Sequence, residues 1–126
     1  MIEKEILEQY GAIVVSYVKG EHVFHKGTMA KHYYQIINGG VKMNFYNESG
    51  NEFIQGIFGK GKSFGEPPLL VDLNYPANAV AISDTNIYRL GKSDFKQLLL
   101  ENSAINFEFS KIICDCLLYT SDAADD

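Results

Sequence analysis

The sequence predicts a mainly β fold, an all-antiparallel sandwich or roll with one short helix before it and two after it. Three observations predict this. Eleven glycines punctuate the chain, nine of them (20, 27, 39, 40, 50, 56, 59, 61 and 65) falling at short intervals between residues 20 and 65. Between them lie short runs rich in Val, Ile, Phe and Tyr, which fit a pleated, partly buried surface. Eight Phe and eight Tyr against three Pro supply bulky side chains for one core without breaking the strands. Many short strands with closely spaced turns mean antiparallel layers, not alternating strand and helix.

The elements follow in order. Ile2, Ile6, Leu7 and Tyr10 recur at helical spacing and Gly11 ends the pattern, so a short helix opens the chain. Ala12 to Tyr17 is a β-branched run and reads as a buried strand. Lys19-Gly20 turns the chain into Glu21–His25, an alternating strand, and Lys26-Gly27 turns it again. His32 to Ile37 is the next strand. It closes on Asn38-Gly39-Gly40, residues that accept positive φ in a tight turn. Val41, Met43 and Phe45 alternate with Lys42 and Asn44, a half-buried strand whose partner is Glu52–Phe58 across a loop at Ser49-Gly50. A glycine-rich basic connection, Gly59-Lys60-Gly61-Lys62, leads to Phe64-Gly65-Glu66-Pro67-Pro68. With Leu69, Leu70 and Leu73, this reads as one helical turn started by prolines. Ala77–Ile82 and Asn86–Leu90 are strands split by Ser83-Asp84. Ser93 caps a helix through Phe95, Leu98 and Leu99, and Asn102 or Ser103 starts another.

Composition narrows the function classes. The 126 residues fit one domain. Sixteen acidic against eleven basic side chains give a net charge of −5, which argues against a nucleic-acid surface on this part of the chain. No run of ~18 apolar residues spans a membrane. The N-terminus lacks a secretory pattern, so the expected location is the cytoplasm. Cys114 and Cys116 match neither a redox pair nor a zinc knuckle. No Ser-His-Asp set, carboxylate pair or phosphate-cradling loop is present, so no enzyme, cofactor or metal is expected.

The most distinctive block is Gly61-Lys62-Ser63-Phe64-Gly65-Glu66 followed by Tyr75-Pro76-Ala77-Asn78-Ala79-Val80-Ala81. It resembles the phosphate-binding cassette of the cyclic-nucleotide-binding superfamily: strand, Gly-Glu, short helix, Ala-x-Ala strand. Upstream, Lys19-Gly20-Glu21-x-Val23-Phe24-x-x-Gly27 and Tyr34-Gln35-Ile36-Ile37-x-Gly39-x-Val41 resemble the same family's first hairpins. Downstream, Ile87-Tyr88-x-Leu90-x-x-x-Asp94-Phe95 resembles its exit into a helix. The ordered set covers residues 12–113 and is similar to the sensing half of Crp/Fnr-type bacterial transcription regulators.

That resemblance implies a jelly roll, or double-stranded β-helix, over residues 1–102. It also implies the start of a dimerisation helix over 103–115, with Ile105, Phe109, Ile112 and Ile113 on the pairing face. Phe64, Gly65, Glu66, Leu69, Tyr75, Pro76 and Ala77 would line a ligand site. Glu66 would hold a ribose hydroxyl, the Gly-Glu corner would face an inner cavity, and the helix start would hold a phosphate. The fixed arginine such a site uses for phosphate is missing. Its place falls at Tyr75 or Pro76, and the chain's one arginine, Arg89, lies in a later strand. Pro67 and Pro68 also lack the N–H an anion would need. Tight cyclic AMP or cyclic GMP binding is therefore not expected.

The expected partners are an unidentified small effector, a second copy in the full-length protein, and DNA through a C-terminal helix-turn-helix domain not included here. Residues 116–126 resemble the in-frame translation of a transposon-end sequencing adapter and are expected to be non-native. Two alternatives remain. One is a degenerate module serving only dimerisation. The other is a cupin-like metalloenzyme using His22, His25 and His32, although His22 and His25, three apart, would face opposite ways on a strand.

Overall fold

The computed structural model describes residues 2–111; Ile112, Ile113, both cysteines and the 116–126 tail lie outside the described residues. The fold is the one the sequence predicts. Helix α1, Lys4–Gln9, precedes strands β1 (Ile13–Tyr17), β2 (His22–Phe24), β3 (His32–Asn38), β4 (Val41–Tyr46), β5 (Glu52–Phe58) and β6 (Ser63–Phe64). Helix α2, Glu66–Leu70, interrupts before β7 (Asn78–Ala81) and β8 (Thr85–Gly91), and α3, Lys92–Glu101, follows. Residues 103–111 form a further helix, α4. All pairings are antiparallel. They make two four-stranded sheets, ordered β1-β8-β3-β6 and β2-β7-β4-β5.

The inner faces meet through aromatics. Phe24 of one sheet touches Tyr34 and Phe64 of the other, with ring centroids 5.9 and 6.0 Å apart. On the outer face of the first sheet, α3 and α4 close a second layer. Phe95 stacks on Tyr33 at 4.4 Å, and Phe109 meets both rings edge-on at 5.8 and 5.4 Å. Edge-to-face and offset pairs add to the area buried, because the positive ring edge meets the negative face. Gln35 fastens the N-terminus: its side-chain amide accepts from Ile2 N–H and donates to Ile2 C=O.

Three local expectations are corrected. Strand β1 was expected to be buried, yet Ile13 and Val14 are 51% and 55% exposed. It sits at a sheet edge with β8 as its partner, so β-branched composition reports strand geometry here and not burial. In β4 the alternation breaks. The register slips between Met43 and Asn44, where Gly56 and Ile54 are their partners. This bulge buries Asn44 and leaves Phe45 only half-buried, as a bulge re-aims side chains. Asn44 Nδ2 then donates to Glu52 Oε2, which Lys42 also approaches at 2.8 Å. Finally, Ser93 does not cap α3. The helix starts directly from β8 with Gly91 in the cap position and no side-chain bond, so Ser93 already lies inside the first turn.

Candidate functional site

The chain reaches the site through β6, which pairs Ser63 and Phe64 with Gln35 and Tyr34. Gly65 then takes φ 76°, the left-handed region, and serves as the N-cap of α2. A Cβ there would lie 3.1 Å from two ring atoms of Phe24 and 3.3 Å from Tyr75 Cε1. Glycine is needed twice, for backbone angle and for close approach. Two backbone bonds fix Tyr75: its N–H donates to Thr28 C=O, and Gly27 N–H donates to its C=O. Its ring stacks on Phe24, centroids 3.6 Å apart and planes within 6°.

Six of the seven predicted site residues come together here: Phe64, Gly65, Glu66, Leu69, Tyr75 and Ala77 are all buried. Pro76 does not join them: it lies in the bend before β7 and is exposed. Leu69 and Ala77 are wholly enclosed core. The corner itself does not face an open cavity as the sequence implied. The Phe24–Tyr75 stack covers it, for an aromatic at position 75 fills space that the motif alone left unassigned.

Glu66 is 7% exposed. Its Oε1, Ser63 Oγ and Tyr75 Oη are buried without a hydrogen-bond partner among the described residues. Such orphans are rare and costly and mark a place for a water or ligand. Burial pushes the Glu66 carboxyl above the usual carboxylate range, and Ser63, nearby but outside hydrogen-bond geometry, softens the shift. Burial also pushes the Tyr75 hydroxyl up, with Tyr34 and Glu66 adding to the shift.

Because the folded-state pKa of Glu66 is the higher one, the folded protein holds that proton more tightly than the unfolded chain. The resulting stabilisation is full below the unfolded-state pKa and is lost as pH rises through the folded-state value. We expect Glu66→Gln to remove this slope. In urea titrations from about pH 4 to 8, wild type should lose stability relative to the variant as pH rises. Parallel curves would show that the carboxyl is not held in this environment.

Positive charge stays away from the corner. Lys60 and Lys62 are exposed. Arg89, half-buried in β8 opposite Tyr34, lies against the Tyr17 hydroxyl and near His32. Its inward-facing register was legible only once the pairing of β8 with β3 was known. The histidines do not form the cupin-like arrangement. His22 and His25 were expected on opposite faces, yet their rings stack at 4.2 Å, because β2 ends at Phe24 and its register slips after His22. Parallel rings do not converge their nitrogens on one ion. Among the described residues no cluster of three or more metal-binding side chains exists.

Beyond the Phe24–Tyr75 stack, a cavity of about 440 Å³ opens between the end of β2, the 25–31 turn and β3. Phe24, Tyr34 and Tyr75 line it, whereas Gly65 and Glu66 do not.

Residues 14–102 match the family model of the cyclic nucleotide-binding domain. The lysophospholipase NTE1 of Phaeosphaeria nodorum is 31% identical over 94 residues, 75% of this chain but 6% of that protein. The sensor domain of the transcriptional regulator DNR from Pseudomonas aeruginosa superposes with a TM-score of 0.79 at 25% identity, covering 94% of this chain and 78% of that one. The Thermus thermophilus catabolite activator protein superposes with a TM-score of 0.82 at 23% identity, covering 98% of this chain and 59% of that one. The chain therefore spans a small part of its curated relatives and little more than half of that activator.

Proposed function

The chain belongs to the cyclic nucleotide-binding domain family, and from that premise we propose that it is the effector-sensing domain of a Crp/Fnr-type transcription regulator that does not bind cyclic nucleotides tightly. One observation carries the second half of this reading. Neither Tyr75 nor Pro76, the two positions where the resemblance puts the fixed cation, is an arginine, and the Phe24–Tyr75 stack lies against the Gly-Glu corner. A buried phosphate with no fixed cation has a desolvation cost that neutral donors offset only in part.

The regulator half draws support from the fold shared with the DNR sensor domain. In that scheme residues 1–102 sense, 103–115 begin the helix that pairs two copies, and an effector biases that helix so that DNA-binding domains reorient. The uninterrupted gene tests it: a helix-turn-helix pattern after residue 115 supports the reading, and its absence refutes it. The lysophospholipase relatives share 94 residues, which we read as a shared binding module and not a shared active site. No helix among the described residues is long and apolar enough to cross a membrane.

For the ligand claim, calorimetry with cyclic AMP on the full-length protein should give a dissociation constant weaker than about 1 μM, roughly −8 kcal/mol. Submicromolar binding would overturn it. A second reading, a module that only dimerises, is favoured by the aromatic stack filling the corner. Saturable binding of any nucleotide or small anion that Glu66→Ala abolishes would rule it out.

A further inference from the structure

We propose that the mouth between β2 and β3 is a second, independent ligand site, built for a small aromatic carboxylate. Gly65 and Glu66 do not line it, so it does not depend on the corner binding anything.

Its shape comes first. The cavity holds about 440 Å³, within the range of about 300–1,000 Å³ that suits small organic ligands. One wall is aromatic: Phe24, Tyr34 and Tyr75 are buried, and their edges and faces are held by mutual packing. These rings need no reordering to receive a flat ring, so little conformational entropy is lost on binding.

Its charge comes second. His25, Lys31 and His32 also line the cavity, and no carboxylate does. Arg89 lies within electrostatic reach of His32 and Tyr34. In a chain of net charge −5, this is a local reversal of sign. Burial lowers the His32 pKa, and the positive charges of Arg89 and Lys31 lower it further. The field that disfavours a second proton there favours an anion. A site with an aromatic wall, the Lys31 ammonium among its lining and imidazole donors beside it takes a flat ring bearing one carboxylate.

Backbone bonds hold the site in place. Tyr75 N–H donates to Thr28 C=O at 2.9 Å, and Lys92 N–H donates to Lys31 C=O at 2.9 Å. Lys31 is thus fixed at its backbone while its ammonium stays exposed at the rim.

The test uses benzoate as the probe, with benzyl alcohol and inorganic phosphate as controls, followed through the imidazole proton resonances of the protein. Benzoate should shift His25 and His32 saturably, and each control should bind at least about tenfold more weakly. Lys31→Glu should weaken benzoate about tenfold, whereas Lys60→Glu, on an exposed turn elsewhere, should not. The site is refuted by an unsaturable benzoate response, or by phosphate or benzyl alcohol binding as well as benzoate. It is equally refuted if Lys31→Glu leaves the affinity unchanged.

Discussion

Gly39→Ala is expected to destabilise the domain by about 3 kcal/mol or more, lowering the thermal midpoint by roughly 10 °C. Two costs combine. The residue adopts φ +93°, a conformation that costs an L-residue with a Cβ about 1–2 kcal/mol. The added Cβ would also stand 2.4 Å from Thr85 Oγ1, 2.5 Å from Asp84 O and 2.7 Å from Thr85 Cα. Two of those three are backbone atoms, which cannot move aside cheaply, and overpacking of this kind costs about 1–3 kcal/mol. The displaced group matters too. Thr85 Oγ1 accepts from Gly40 N–H and lies within hydrogen-bond distance of the Gly40 and Ser83 carbonyls, so pushing it away unlocks β3–β4 from β8. Gly50→Ala is the control: it has φ +82° but no atom within 4 Å of the added Cβ, and should cost about 1 kcal/mol. Equal midpoints for the two variants would defeat the close-approach argument.

The same pair of glycines shows what a sequence can and cannot disclose. That Asn38-Gly39-Gly40 and Ser49-Gly50 turn the chain follows from residue chemistry, because only glycine takes positive φ freely. That Gly39 is pressed against Thr85 depends on β8, far along the chain, and nothing local records it. Strand existence and order were legible from period and punctuation. Burial was not: β1 and β5 are both sheet edges, and with no strand beyond them to cover their sides, Ile13, Val14, Phe53, Ile54 and Ile57 stay exposed. The β4 bulge was equally hidden, since Met43-Asn44 looks like ordinary alternation until it is paired with Gly56 and Ile54.

For the candidate site, the Gly-Glu corner and Tyr75 could be read as motif positions, and the structure does bring them together. Their filling could not. The Phe24–Tyr75 stack joins residues 51 positions apart, so whether the corner is open or plugged is a tertiary fact. The cationic mouth was invisible for the same reason. His25, Lys31 and His32 look like scattered surface residues until the 25–31 turn folds them against Tyr34 and Tyr75.

Phe109→Ala and Phe107→Ala are expected to separate two roles that one apolar stripe had suggested for α4. The sequence resemblance put Ile105 and Phe109 on a face that pairs two copies. In the structure Phe109 is 1% exposed, lodged against Tyr33 and Phe95, and Ile105 packs against the same core. Phe109 is buried and Ile105 partly buried within a single copy. Truncating Phe109 deletes a ring from a three-aromatic cluster and should cost about 3–5 kcal/mol, independent of protein concentration. Phe107 is 73% exposed and Leu100, on α3, 75%. Apolar groups left that open are candidates for burial by a second copy. In the full-length protein, Phe107→Ala should leave the dilute-limit unfolding midpoint within about 0.5 kcal/mol of wild type. It should also reduce the rise of that midpoint with concentration, because only a folded dimer gains from mass action. If Phe109→Ala instead shifts the concentration dependence while its dilute-limit stability is unchanged, the stripe belongs to the partner and the packing of α4 on the roll does not contribute to the fold.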